Sequence, residues 1–539
     1  MSAHAWELRT VPEELKSRYL TDGFWSDSSI GEMVAHGLAS KGAAAFVIHS
    51  KVRPWRGTMA EVHHAAKAFA ATLRSRGVGP GDVVLFQLPN WVEAAITFWG
   101  AAYVGAVVVP VVHFYGPKEL AYILEVTRPE VVVTADRFGR AEYLDSYEEM
   151  LAGSDALWLV VGDTPADQLP SSARAFQSAL DSDPVERPAP VDLDSPAVIA
   201  FTSGTTRNPK GVIHSHHTIG YEARQLTLLS KEGTPPAITG APVGHFIGML
   251  GSLLSSLLRA ETPIHFVDVW DPAEVLRIML AEGLSMGGGS TYFLTSLIDH
   301  PDFTDAHLAL MPYCGLGGSA VPISVTERAT KMGITVYRSY GSTEHPSATG
   351  SNPDTPQDKR LHTDGLPMPG TELRLDEDGE IFTRGAELFL GYTDPELTAA
   401  AFDDEGWYRT GDVGTIDEDG YLSITDRISD IIIRGGENIS AQEVEEILLE
   451  MPALAEAYVV AAPDDRLGEH AAAVVRVREA CGVPTLEDVR EHFASVGVAR
   501  QKWPEALYTV GDFPRTPSGK VQKFKLREQL RNGELGHTV

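Results

Sequence analysis

The segment 201–212, FTSGTTRNPKGV, follows the apolar run AVIA and sets small hydroxyl and glycine residues ahead of a lysine. Backbone N–H groups freed by Gly204, with the hydroxyls of Thr202, Ser203, Thr205 and Thr206, suit a cradle for phosphate oxygens, and Lys210 supplies charge. The spacing from Gly204 to Lys210 approaches a Walker A loop, but Pro209 and Gly211 stand where that loop requires Gly and Ser/Thr. The segment also reads as an ordinary Ser/Thr/Gly turn. A second glycine loop, GLGGSA at 315–320, fits the G-x-G-x-x-A turn of dinucleotide-binding oxidoreductases, although a lone match is a weak signal. Near the other end, Arg515–Arg531 carries six Lys/Arg against one Glu, a local balance of +5 on a chain of net charge −30. A solvated basic helix face accounts for Lys525, Arg527 and Arg531. Lys520, in a glycine-flanked loop before that helix, is a different case.

Four more segments follow in order: YGSTE at 340–344, YRTGD at 408–412, DRISDIIIRGGENIS at 426–440 and RTPSGKVQK at 515–523. With 201–212 they resemble the core motifs of the adenylate-forming superfamily, which holds acyl-CoA synthetases, the adenylation domains of peptide synthetases and beetle luciferases. The resemblance spans nearly the whole chain and is strongest to the CoA-ligase branch. It implies an AMP-forming acid–thiol ligase that uses ATP, Mg2+ and coenzyme A. Acid and ATP form an acyl-adenylate and pyrophosphate, and the acyl group then passes to CoA with release of AMP.

Joining a carboxylate to the α-phosphate brings two anions together, so cations must neutralise both at the moment of attack. The resemblance gives that bridging role to Lys520. It makes Glu344 the Mg2+ ligand, with phosphate oxygens and waters completing the shell. Thr343 would touch the α-phosphate, and Tyr340, followed by Gly341, would stack on adenine. Gly317, Gly318 and Ser319 fall where the family has its adenine-side loop. Asp412 matches the acid that accepts both ribose hydroxyls, and Arg427 would reach ribose or phosphate. Gly435 and Gly436 would let the backbone approach the pantetheine arm of CoA, or form a plain turn between strand and helix. His245, in APVGHFIG, matches a family histidine between acyl pocket and thiol channel, while a lone histidine in an apolar stretch is also commonly structural.

The chain departs from the family pattern in places. Arg207 stands where the phosphate loop usually has glycine, and Ser429 occupies a hinge position usually held by Asp or Lys. GGGS at 287–290 replaces a Pro-containing pocket segment, and Gly244 replaces an aromatic residue. The expectation is that fewer side chains there admit a bulky or long acyl group.

These motifs need positioning elements. Val62, Ala66, Phe69 and Leu73 recur at helical spacing until Gly77, and GVGPGD then turns the chain into the strand VVLFQL. Similar alternation to about residue 345 predicts α/β layers with largely parallel strands. Residues 163–196, rich in Pro, Ser and Asp, read as a surface connection. Acidic glycine turns at 376–380 and 417–421 predict β-hairpins, and Ser440 with Glu443 reads as a capping box before a helix. The predicted fold is α/β: a large N-terminal part of α/β layers plus a β-hairpin or barrel subdomain (1–427), with a small mobile α+β C-terminal lid (428–539).

The chain has 539 residues, 43% of them hydrophobic, enough for several cores. Its net charge of −30 argues against a nucleic-acid coat or a polybasic membrane anchor. Two cysteines, Cys314 and Cys481, form no zinc or disulfide framework, which suits the reducing cytoplasm. No targeting segment is visible. The charge-free stretches 94–117 and 233–258 contain helix breakers and read as buried, the first as a helix to Gly105 and then VVVPVV, broken by Pro110. No transmembrane segment is expected, and peripheral membrane contact stays open.

The apolar stretch 243–258 and the lack of an obvious cation for a second carboxylate point to a hydrophobic monocarboxylic acid, a fatty acid first and an alicyclic or aromatic acid second. Rival readings are an acyl-AMP ligase that loads a carrier-protein phosphopantetheine, a luciferase-type oxygenase, a non-enzymatic scaffold and, remotely, the nucleotide-binding oxidoreductase.

Overall fold

The computed structural model describes residues 6–202, 208–229, 231, 234–259, 262–434, 437–464, 466–478, 481–516 and 519–535. The run VVLFQL forms strand Val83–Gln87, which joins Val107–Val111, Val131–Ala135 and Leu157–Val161 as the parallel middle of an eight-stranded sheet. All four strands are buried along their whole length, so their sequences are continuous apolar runs without alternation. Pro110 does not break its strand. It lies inside Val107–Val111 opposite Phe86, and pairing on the strand's other side is confined to Val108–Val198, so no ladder bond is asked of the missing N–H.

Helix Met59–Ser75 starts at a capping box between Thr58 and Glu61, buries Val62, Ala66, Phe69 and Leu73, and is followed by Gly77 at φ +81°. Helix Val92–Val104 is buried on every face and stops at Gly105, φ +74°. Among the described residues no helix is long and apolar enough to cross a membrane. The second charge-free stretch holds short helical pieces, Phe246–Met249 and Ser256–Leu258, around a π-helical turn, Leu250–Ser255. Residues 163–196 are more than a connection: Ala173–Ala175 is an edge strand of the large sheet, and Phe176 and Ala179 are buried beneath it.

A second layer pairs Gly288–Gly289, Tyr313–Leu316 and Thr335–Tyr340 in parallel, then turns antiparallel through Thr349–Gly350 and Leu366–Pro367. A four-stranded sheet built on Ala45–His49 and Ile264–Val267 lies in the same part of the chain. Both acidic glycine turns close hairpins, Glu372–Leu375 with Glu380–Arg384 and Tyr408–Ile416 with Leu422–Arg427. After Arg427 a single 3-10 turn, Ile428–Asp430, leads into Ile432–Arg434. From Ile432 onward the buried apolar side chains form clusters of their own, with no residue from the preceding part among the described residues. Ser440 caps helix Ala441–Leu449 by accepting from the Glu443 N–H, one half of the expected box.

Candidate active site

Strand Thr335–Tyr340 brings the YGSTE segment to the edge of the hairpin sheet. Tyr340 donates its hydroxyl to Asp412 Oδ2 at 2.7 Å, and Arg427 donates from Nε to Asp412 Oδ1 at 2.6 Å. Asp412 and Arg427 are direct partners across an antiparallel pair, so the sheet register itself sets their approach. Asp412 is only 4% exposed. Its charge is the main cause that raises the Arg427 pKa, and burial followed by Asp412 holds the Tyr340 phenol well above its usual range. A carboxylate offers about four lone-pair sites. Each Asp412 oxygen therefore keeps capacity for a ribose hydroxyl beside its present partner.

The next residues are fixed from behind. His214 Nε2 meets the Thr343 carbonyl at 2.8 Å, and the Phe389 N–H donates to the Glu344 carbonyl at 2.9 Å. Tyr392 donates its hydroxyl to Glu344 Oε1 at 2.8 Å. Lys210, first residue of strand Lys210–Ser215, holds its ammonium 5.4 Å above the Tyr392 ring. Thr202 ends the neighbouring strand directly opposite Lys210, so the two bracket one hairpin turn. Ser203, Gly204, Thr205, Thr206 and Arg207 of that turn lie outside the described residues, as do Gly435 and Gly436. Gly341 must be glycine, because a Cβ there would lie 1.6 Å from the Pro346 carbonyl oxygen. Gly317, Gly318 and Ser319 follow strand Tyr313–Leu316, with Gly317 resting against Ser339 beside Tyr340.

Lys520 reaches this group from the C-terminal part. Arg427 is the first cause lowering its pKa, to about 8, and desolvation is the second, although the residue is exposed, so the charge of Arg427 is the cause that stands. Asp412 acts in the opposite sense. His245 is lowered to about 4 by burial and then by Lys520, and its Nδ1 is buried without a partner among the described residues. The loop carrying Lys520 packs closely: a Cβ on Gly519 would come within 2.6 Å of Ser290 Oγ, and the Arg515 guanidinium lies 4.9 Å over the Tyr292 ring. Lys520, His245, Asp412 and Arg427 thus belong to one electrostatic neighbourhood, with Tyr340, Thr343 and Glu344 on its wall.

The open space expected at Gly244 is not there. A Cβ would meet the Val111 carbonyl oxygen at 2.3 Å, and one on Gly288 would meet that of Gly315 at 2.6 Å. These glycines admit backbone against backbone and do not widen a pocket for substrate.

Glu344 Oε2 has no hydrogen-bond partner among the described residues. No group of three His, Cys, Asp or Glu that could hold a metal occurs among those residues. A single available carboxylate fits a magnesium ion that takes most of its shell from phosphate oxygens and water, and does not fit an all-protein cage.

Tyr392, His214 and the Phe389 amide were not found from sequence. Each reaches the YGSTE segment from far along the chain, and no local spacing marks them. His214, four residues past Lys210 in GVIHS, carried the only hint: a histidine inside an apolar strand.

A family model described as AMP-binding enzyme matches residues 39–393, and one described as AMP-binding enzyme C-terminal domain matches 443–520. The chain is 31% identical over 533 residues to the medium-chain fatty-acid–CoA ligase of Escherichia coli K12, covering 97% of this chain and 94% of that protein. It is 33% identical over 493 residues to the 3-[(3aS,4S,7aS)-7a-methyl-1,5-dioxo-octahydro-1H-inden-4-yl]propanoyl:CoA ligase of Rhodococcus jostii RHA1, covering 88% and 94%. ATP-bound MatB from Rhodopseudomonas palustris superposes with a TM-score of 0.82 at 25% identity, over 94% of this chain and 99% of that one. The chain belongs to the AMP-binding enzyme family and is an AMP-forming acyl-CoA ligase that uses ATP with Mg2+ and CoA.

Proposed function

We propose that the enzyme activates a hydrophobic monocarboxylic acid, a fatty acid in the first place and an alicyclic or aromatic acid in the second. The observation that carries the mechanistic reading is the close packing of the Lys520 loop on the N-terminal part, where a Cβ on Gly519 would lie 2.6 Å from Ser290 Oγ, which brings Lys520 within electrostatic range of Arg427, Asp412 and His245. In the first step a substrate carboxylate oxygen attacks the α-phosphorus and pyrophosphate leaves. Lys520 lies between the two anions and offsets their repulsion. Asp412 and Arg427 hold the ribose side, Thr343 the α-phosphate, and Tyr340 with Gly317, Gly318 and Ser319 the adenine. Magnesium, held by Glu344 and the phosphates, would withdraw charge from the leaving group. In the second step the CoA sulfur attacks the acyl carbonyl and AMP leaves. Gly435 and Gly436 are assigned to the CoA side, and the neutral His245 to the boundary between acyl pocket and thiol.

We assign residues 428–539 as a unit that turns about 428–430 between the two steps. Separate apolar clusters and separate family-model matches support this division. The substrate assignment is supported by the apolar character of the segment that follows His245, with Met249, Leu250, Leu253, Leu254 and Leu257 all buried, and by relatives named for fatty and ring-bearing acids. Two free cysteines, one of them exposed, accord with a cytoplasmic setting.

The test is pyrophosphate release over a panel of fatty, alicyclic, aromatic and amino acids, with mass detection of the acyl-CoA. Turnover of hydrophobic monocarboxylic acids with acyl-CoA as product is expected. Pyrophosphate release that yields no acyl-CoA would give the thiol acceptor to a carrier protein, and preference for amino acids would overturn the substrate class.

A further inference from the structure

Residues 8–25 precede the part of the chain matched by the family model, yet they are tied to the loop behind the metal ligand. Arg9 donates from its backbone N–H to the Leu390 carbonyl at 2.9 Å, from Nε to that of Phe389 at 2.8 Å and from Nη2 to that of Leu388 at 3.0 Å. Trp25 donates through Nε1 to the Ala386 carbonyl at 2.8 Å, and its ring lies flat on His217 with centroids 4.5 Å apart. Val11, Leu15, Tyr19 and Trp25 share one buried cluster with Ala386 and Leu390. Four carbonyls of the loop 386–390 are therefore capped by the N-terminal segment.

The opposite side of that loop serves the site. Its Phe389 N–H donates to the Glu344 carbonyl at 2.9 Å, and Tyr392, two residues past it, holds the Glu344 carboxylate at 2.8 Å. Glu387 meets His345 Nε2 at 3.0 Å and accepts from the Thr371 hydroxyl at 2.7 Å. Both the main chain and the side chain of Glu344 thus hang on a segment whose own carbonyls Arg9 satisfies.

The choice of residue matters. The Arg9 guanidinium pairs with no carboxylate among the described residues; besides two carbonyls it meets the face of Phe402, 5.2 Å away. An apolar side chain would pack the cluster without the desolvation of a charge. What only a planar fork supplies is simultaneous, oriented donation to successive carbonyls, which fixes the path of the loop.

We propose that Arg9 is a positioning residue for Glu344, and that docking of the N-terminal segment sets the affinity of the site for metal-bound nucleotide. This inference rests on the placement of the metal at Glu344 given above. The test uses the full chain and measures ATP binding by calorimetry without acid, once with Mg2+ and once with a chelator, in Arg9→Ala, Arg9→Lys, Trp25→Phe and Glu344→Gln. The Mg·ATP dissociation constant is expected to rise at least fivefold in Arg9→Ala and less in Arg9→Lys and Trp25→Phe. In the Arg9 and Trp25 variants, binding of metal-free ATP, and capture of pre-made acyl-adenylate by CoA, are expected to stay within twofold. A role confined to folding would weaken both forms of ATP together, and that result overturns the inference, as does unchanged Mg·ATP binding in Arg9→Ala. If Arg9→Ala does not fold, the metal-selective shift in Arg9→Lys and Trp25→Phe decides. Loss of metal selectivity in Glu344→Gln alone would overturn the role of Arg9 and leave the metal assignment standing. Its loss in none of the variants would overturn both.

Discussion

His214 donates through Nε2 to the carbonyl oxygen of Thr343 at 2.8 Å, joining the strand after the glycine-rich turn to the residue before Glu344. A carbonyl can only accept, so the proton resides on Nε2 and Nδ1 is left to accept from the Thr218 hydroxyl at 3.2 Å. Burial lowers the ring to about pKa 4 and keeps it neutral through the physiological range. A buried carbonyl stripped of its donor costs about 1–3 kcal/mol, and roughly 1.4 kcal/mol is a tenfold change in rate. His214→Phe is therefore expected to slow acyl-adenylate formation by about one to two powers of ten, and His214→Gln, which keeps a donor, by less. Equal rates for the two variants in pyrophosphate release would show that the bond does not position Thr343.

Lys520 has a pKa lowered to about 8, first by Arg427 and then by desolvation. Its labelling by an amine-selective reagent is expected to rise through pH 8 in the free enzyme. Bound Mg·ATP should move the midpoint upward, because phosphate charge favours the ammonium. Lys520→Ala is expected to abolish adenylate formation and to leave CoA capture of pre-made acyl-adenylate largely intact. Equal loss of both half-reactions in a folded variant would remove the assigned role.

Glu222 is buried beside Ser347, which donates to its Oε1, while Oε2 has no partner among the described residues. Burial, and after it the charge of Glu387, raises this carboxyl well above its ordinary 4.5. The folded protein holds a proton here where the unfolded chain has released it, so stability from this group is lost as pH rises above 4.5. Glu222→Gln stays neutral throughout. Its Tm is expected to exceed that of the parent at neutral and alkaline pH and to converge with it in acid. A lower Tm across the whole range would refute this.

Gly244 presses on the Val111 carbonyl. Gly244→Ala is expected to destabilise the fold by about 1–3 kcal/mol, visible in a denaturant midpoint, without moving chain-length preference. A shifted acyl preference at unchanged stability would restore the view that this position borders the substrate.

Much of this organisation could be read from residue order because it is local. Buried parallel strands such as Val83–Gln87 announce themselves as apolar runs, the hairpins by their acidic glycine turns, and helix Met59–Ser75 by its period and its cap. Asp412 and Arg427 stood in recognisable motifs, and the register of one hairpin sufficed to join them. What sequence did not disclose was tertiary. Tyr392 and His214 act on residues more than forty positions away, and Arg9 on a loop at the far end of the same part of the chain. Gly244 was misread for a related reason: a missing side chain says nothing about whether substrate or main chain takes the room. Pro110 misled because an unpaired stretch of strand edge is invisible until the neighbour's register is known.

The π-helical turn Leu250–Ser255 separates the short helix that begins after His245 from the piece carrying Leu257, which abuts Gly37. A wide turn of this kind accommodates one residue more than a regular one. The surplus position is absorbed within the turn, so the piece that starts beside His245 and the piece that rests on Gly37 keep nearly the relation of one continuous helix. A residue added or removed outside 250–255 has no such outlet and would rotate one piece against the other by roughly 100°.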